Sequence, residues 1–226
     1  MLNQKIVYNL TKFTSTDYVG HLSCVVWFIK CNFRCLYCYN DDLVYSKEGN
    51  YSLNECLEFL KTRVGLLDSV VLSGGEATIH DLIPFCNEIK KLGFKIKLDT
   101  NATNQKQIKE LIELNLIDYM AIDFKAPKDK FYEITKSKKY DEYIQTIKYL
   151  IDIDFDFEIR TTIHSKLLSS KDINSMIRTL EELEYKNTYY LQNYLQTSSN
   201  IGNINEQSII NKEDITSNNL NISWRN

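Results

Sequence analysis

Apolar, β-branched runs recur along the chain, separated by stretches with a different period. They are LSCVVWFI (Leu22 to Ile29), SVVLS (Ser69 to Ser73), FKIKLD (Phe94 to Asp99), YMAIDF (Tyr119 to Phe124), FEIRTTI (Phe157 to Ile163) and TYYLQ (Thr188 to Gln192). Short runs of this kind, bounded by turn-forming residues, predict strands. Between them the apolar positions move to helical spacing, in LNECLEFLKTRV after Ser52, LIPFCNEIKKLG after Asp81, NQKQIKELIELN after Thr103 and KDINSMIRTLEELE after Ser170. Ser52 is placed as an N-cap, and Gly93 follows a lysine-rich last turn as a helix stop.

Alternation of strand and helix predicts βα units around a parallel sheet, with crossovers of one hand. Six units fall short of the eight that close a barrel, so the expected fold class is α/β, a partial (β/α)6 barrel with parallel strands; an open doubly wound sheet is the alternative. The barrel domain is expected over 1–196. The segment 197–226 is rich in Asn, Ser and Ile and lacks periodicity until NISW. It reads as a C-terminal tail packing on or near the barrel.

Composition narrows the functional classes. A net charge of −3 over 226 residues, with 25% charged, gives none of the basic excess that nucleic-acid binding requires. No run of eighteen apolar residues occurs and the N-terminus lacks a signal-peptide core, so no membrane partner and a cytoplasmic location are expected. In that reducing compartment the cysteines read as thiols or metal ligands rather than disulfides. Cys24, Cys56 and Cys86 lie in apolar patterns and read as core.

Chemistry in parallel βα folds collects at the C-terminal ends of strands. Here those ends carry Cys31, SGGEAT (Ser73 to Thr78), DTNAT (Asp99 to Thr103), DFKAP (Asp123 to Pro127), and Arg160 with His164. Arg160 sits within an apolar strand, where an unpaired charge is expensive, and is expected to face a carboxylate of a cofactor, Glu158 or Asp123. His164 reads as structural. Cys31, Cys35 and Cys38 form CNFRCLYC, a CxxxCxxC loop. Structural zinc closes a tetrahedron with four ligands and iron–sulfur clusters usually take four thiolates. Neither His21 nor Cys24 has the spacing of a fourth, so three thiolates imply an iron left open for an exogenous ligand.

This loop, with Tyr37 before its last cysteine, resembles that of the radical S-adenosylmethionine enzymes. The resemblance implies a 4Fe-4S cluster on Cys31, Cys35 and Cys38, with S-adenosylmethionine chelating the fourth iron. It puts Tyr37 near adenine and Gly74, Gly75 and Glu76 at the methionine amino group. The stretch from Asn9 to Val44, together with SGGEAT, DTNAT and DFKAP, is similar to the activating proteins of anaerobic ribonucleoside-triphosphate reductase and to pyruvate formate-lyase activating enzyme. From that similarity Asp99, Thr100 and Asn101 are expected at the cofactor, Asp99 with a monovalent cation beside it, and Asp123 and Lys125 as further contacts, which Arg160 joins on the strand-charge argument above.

The implied activity is that of an oxidoreductase that cleaves S-adenosylmethionine reductively and abstracts hydrogen to leave a glycyl radical on its partner. Anaerobic ribonucleotide reductase is the expected partner and flavodoxin or ferredoxin the electron donor. The alternatives are another glycyl radical enzyme, a small-molecule reaction such as that of 7-carboxy-7-deazaguanine synthase, or a non-catalytic metal-stabilised binding module. The sequence departs from its look-alikes at Val19 and Ala77, where they carry proline, and at Lys30 and Ala102, where they carry glycine. These departures put loop geometry in question, particularly if Ala102 must take a left-handed backbone conformation.

Overall fold

The computed structural model describes residues 2–204, 208 and 210–225. The chain divides into two compact units. The first comprises Met1–Asn32, Asp42–Thr100 and Asn104–Ala121, and the second Phe33–Asp41, Asn101–Thr103 and Ile122–Asn226.

In the first unit β1 (Val7–Thr14), β2 (Ser23–Phe28), β3 (Ser69–Gly74) and β4 (Lys95–Thr100) lie side by side in chain order. The last three are parallel, with Val25 beside Val71 and Val71 beside Lys97. β1 is an antiparallel addition, Leu10 beside Val26. The cores of β2 and β3 are buried on both faces. They therefore read as continuous apolar runs rather than alternating ones.

A short helix, α1 (Asp41–Tyr45), follows the cysteine loop. Three longer helices serve as crossovers, α2 (Leu53–Lys61), α3 (Ile83–Lys91) and α4 (Gln105–Glu113). Ser52 and Glu55 form a capping box on α2, each side chain accepting from the other's backbone N–H. Pro84 occupies the first turn of α3, where its missing N–H is no loss. Cys24, Cys56 and Cys86 are buried in the core, and burial pushes each thiol up to about 12. On the opposite face of the strands Val25, Trp27 and Val71 pack with Tyr18 and Tyr119.

The division between the units passes through β5 (Tyr119–Asp123). The second unit pairs β6 (Phe157–Ile163), β7 (Tyr189–Asn193) and β8 (Ile222–Arg225) in parallel, with Arg160 beside Tyr190 and Tyr190 beside Ser223. Its helices are α5 (Lys128–Thr135), α6 (Tyr140–Asp152) and α7 (Ser170–Glu182). Phe124, Phe131, Tyr140 and Tyr143 make an aromatic core, with Phe124 and Tyr143 stacked at 5.1 Å. Ser169 and Asp172 form the capping box of α7, and Asp172 also holds Lys130 at 2.7 Å.

Part of the segment expected as a tail is a sheet strand. The Arg225 guanidinium forks onto Glu158 at 3.1 and 2.7 Å and lies 3.5 Å over the Tyr190 ring. Upstream, the Glu181 carboxylate on α7 accepts the N–H groups of Asn218 and Asn219. Residues 205–207, 209 and 226 of that segment lie outside the described residues. Among the described residues no helix is long and apolar enough to cross a membrane.

Candidate functional site

In the first unit the strand end after β3 lies directly against the backbone leading into Cys31. Gly74 has φ +115°, and a Cβ there would stand 2.5 Å from the Phe28 amide nitrogen and carbonyl oxygen; at Gly75 it would stand 1.8 Å from the Lys30 carbonyl oxygen. The Gly75 N–H donates to Phe28 O at 3.0 Å and the Glu76 N–H to Lys30 O at 2.9 Å. Only glycine allows so close an approach. What the two glycines approach is therefore protein backbone.

Glu76 is 1% exposed. Its Oε1 accepts from the Thr78 N–H at 3.1 Å, the Thr78 hydroxyl at 2.6 Å and the Thr100 hydroxyl at 2.7 Å. The first of these caps the 3-10 turn Ala77–Ile79. These three donors are neutral, and they hold a carboxylate without cancelling its charge. Nearby in sequence, Asp99 accepts from the Ser73 hydroxyl at 3.1 Å and stands 3.2 Å from the Lys97 ammonium. Lys97 also donates to the Asp17 carbonyl at 2.5 Å. The Lys97–Asp99 pair has no net charge.

In the second unit the later half of the cysteine loop is clamped by backbone hydrogen bonds. Arg34 N–H donates to Thr135 O and Leu36 N–H to Ile134 O, at the end of α5; Ile201 N–H donates to Cys38 O and Gly202 N–H to Leu36 O. A Cβ on Gly202 would stand 2.7 Å from the Leu36 Cβ.

Behind this loop, Asp123 receives the Arg160 guanidinium on Oδ1 at 2.7 Å and the Lys125 ammonium on Oδ2 at 2.9 Å. Burial alone would raise the Asp123 carboxyl, but Arg160 and Lys125 outweigh it and hold it well below the usual range. Burial likewise opposes the charge on Lys125, yet Asp123, Tyr37 and Cys35 keep its pKa well above the ordinary value. Lys125 lies 5.7 Å from the Tyr37 ring centroid. Tyr37 is buried, its hydroxyl has no hydrogen-bond partner among the described residues, and burial raises its pKa.

Desolvation pushes the Cys35 thiol up to about 12 and raises that of Cys38; in both Lys125 works the other way. Asn101 turns the loop after β4, its Oδ1 accepting from the N–H and hydroxyl of Thr103. Between them Ala102 has φ +59°, and Lys30 in the first unit has φ +64°. His164 is buried against Tyr194, at 5.0 Å between ring centroids, and burial lowers its pKa.

Of the residues singled out in the sequence, Cys31, Gly74, Gly75, Glu76, Asp99 and Thr100 belong to the first unit. Cys35, Tyr37, Cys38, Asn101, Asp123, Lys125 and Arg160 belong to the second. Among the described residues no three His, Cys, Asp or Glu side chains are gathered as a metal-holding group. The donor chemistry suits a thiophilic cluster all the same. Three thiols fall within one eight-residue loop, and metal binding is what deprotonates and gathers such ligands. A buried aromatic ring with an ammonium over its face adds a surface for a flat, polar group.

Sequence reasoning passed over Lys97 and Gly202, and gave Ser73 and Thr78 no role of their own within SGGEAT. Lys97 carries the same signal that drew attention to Arg160, a charge inside an apolar strand. Gly202 carries none, because its partner Leu36 is far away along the chain.

Comparison with known proteins bears on the family and the fold. A curated relative from Methanocaldococcus jannaschii, described as "Putative glycyl-radical enzyme activating enzyme MJ1227", is 31% identical over 189 residues, which is 79% of this chain and 77% of that one. Among solved structures, Streptococcus suis SuiB bound to S-adenosylmethionine superposes with a TM-score of 0.65 at 15% identity, over 88% of this chain and 48% of its own. Native anSMEcpe with bound AdoMet gives 0.60 at 18% identity, over 73% and 49%. The chain thus spans about half the length of these two structures, and the likeness is one of fold, the expected α/β class with parallel strands. The family model of the radical SAM superfamily matches residues 25–181, more than half of the sequence, and the chain belongs to that superfamily.

Proposed function

We propose that this protein is an activase that places a glycyl radical on a partner enzyme, with anaerobic ribonucleoside-triphosphate reductase as that partner. The observation that carries the reading is the CNFRCLYC loop at the end of β2, in a chain 31% identical to a relative named as an activating enzyme. A 4Fe-4S cluster and S-adenosylmethionine, the cofactors the family implies, supply a carbon-centred radical by one-electron reductive cleavage when bound.

The protein's part is to bind, orient and exclude water. Cys31, Cys35 and Cys38 hold the cluster. Glu76, held by neutral donors, takes the cofactor's ammonium, with Gly74 and Gly75 fixing its backbone. Tyr37 would face adenine, and Asp123, Lys125 and Arg160 would supply further contacts. Asp99, Thr100 and Asn101 shape the end of β4. Flavodoxin or ferredoxin delivers the electron, in the cytoplasm.

The test is anaerobic reconstitution with iron and sulfide, then reduction in the presence of S-adenosylmethionine and the purified reductase, read by electron paramagnetic resonance. A glycyl doublet that depends on this protein is the expected outcome. If 5′-deoxyadenosine accumulates without a doublet, the chemistry stands and the partner is wrong. Absence of a cluster sinks the cysteine assignment itself.

A further inference from the structure

The resemblance implies a monovalent cation beside Asp99, and the residues around Asp99 do not fit one. Lys97 lies two positions earlier on β4, so both side chains leave the same face of the strand. Its ammonium stands 3.2 Å from Asp99 Oδ1 and donates to the Asp17 carbonyl at 2.5 Å. The other Asp99 oxygen accepts from the Ser73 hydroxyl at 3.1 Å. A carboxylate oxygen and a backbone carbonyl are the ligands that would surround a bare sodium or potassium ion. Here they converge on a nitrogen.

The side chains of Lys97 and Asp99 are 5% and 11% exposed, so salt screens the pair far less than it would a surface pair. Burying a lysine inside a strand between Ile96 and Leu98 is expensive unless the charge is paired. A further cation drawn to the same oxygens would meet a fixed ammonium at close range, beside a pair whose net charge is already zero.

We propose that Lys97 is a built-in replacement for the monovalent cation. Its ammonium balances and positions Asp99, so that cofactor binding at this strand end needs neither sodium nor potassium. The inference rests on the proposed function, because S-adenosylmethionine is the probe.

The experiment measures S-adenosylmethionine binding to the anaerobically reconstituted protein by calorimetry, in tetramethylammonium chloride and in equal concentrations of potassium or sodium chloride. For the wild type the expected change in Kd between salts is less than about two-fold, well below the roughly five-fold or greater coupling typical of linked sites. Lys97→Met is expected to bind about ten-fold more weakly in tetramethylammonium and to recover in potassium or methylammonium, a coupling of ordinary size.

A wild-type requirement for sodium or potassium overturns the inference while leaving the proposed function standing. So does a Lys97→Met defect that no cation repairs, which would make Lys97 merely structural. If Lys97→Met does not fold, the wild-type salt series decides alone. Failure of the wild type to bind S-adenosylmethionine in any salt takes down the proposed function and this inference together.

Discussion

Glu76 in the first unit and Asp123 in the second are both largely buried carboxylates at strand ends, and they are held in opposite ways. Glu76 accepts from a backbone N–H and two threonine hydroxyls. Asp123 lies between an ammonium and a guanidinium. The donors just named for Glu76 are neutral, whereas those for Asp123 are cations. Hydrogen bonds to neutral donors stabilise an ion while leaving its field intact, whereas salt bridges offset it. The same residue class is thus held by uncharged groups in one unit and by charged ones in the other.

The largest effect is expected at a thiol of the second unit. Cys35→Ala should abolish iron retention while leaving the circular dichroism and melting cooperativity of the metal-free protein near those of the wild type. An iron and sulfide content equal to the wild type's would refute the ligand assignment. Next comes Asp123→Asn, which leaves Lys125 and Arg160 facing each other without their shared counter-ion. Stability should fall by about 3 kcal/mol, the order seen when one partner of a buried ion pair is removed. A urea titration showing no loss would mean that the two cations find other partners and that their pairing with Asp123 is incidental.

Glu76 separates charge from hydrogen bonding. Glu76→Ala strands two hydroxyls and an amide in the interior and should destabilise by about 2 kcal/mol. Glu76→Gln keeps a carbonyl oxygen at the Oε1 position, so its stability should fall by less than about 1 kcal/mol. Both variants should lose about ten-fold or more in S-adenosylmethionine affinity, the order expected for a charge-assisted contact. If Glu76→Gln binds normally in equilibrium dialysis, the charge of Glu76 is not what the cofactor reads.

The parts of this arrangement that were legible in the sequence share a physical cause. β2, β3 and β6 are buried over most of their length, so each stands out as a run. β1 is half exposed at the sheet edge, and its VYNLTKFT shows too little contrast to stand out unaided. β8 has four residues, all partly exposed, and is held by Arg225 on Glu158, a pairing between distant positions that no local pattern encodes. α6 was legible and overlooked, since Tyr143, Thr146, Ile147 and Leu150 keep the buried helical spacing. The cysteine loop announces itself by spacing alone. Its buttress, Ile201 and Gly202 against Cys38 and Leu36, comes from a segment with no periodicity at all.

The smallest effects test the two backbone departures, one in each unit. Lys30 at φ +64° and Ala102 at φ +59° both occupy the left-handed region. A Cβ there costs about 1–2 kcal/mol, which glycine relieves. Glycine in turn frees the unfolded chain by about 0.4–1 kcal/mol. Lys30 is exposed, so nothing else enters, and Lys30→Gly should stabilise by about 0.5 kcal/mol, or roughly 1–2 °C in Tm for a chain of this size. Ala102 is fully buried, and its methyl contributes about 0.8 kcal/mol that glycine forfeits. Ala102→Gly should therefore leave Tm within about 1 °C of the wild type. A rise at Ala102 larger than that at Lys30 would show that the strained turn between Asn101 and Thr103 stores more energy than its buried methyl returns.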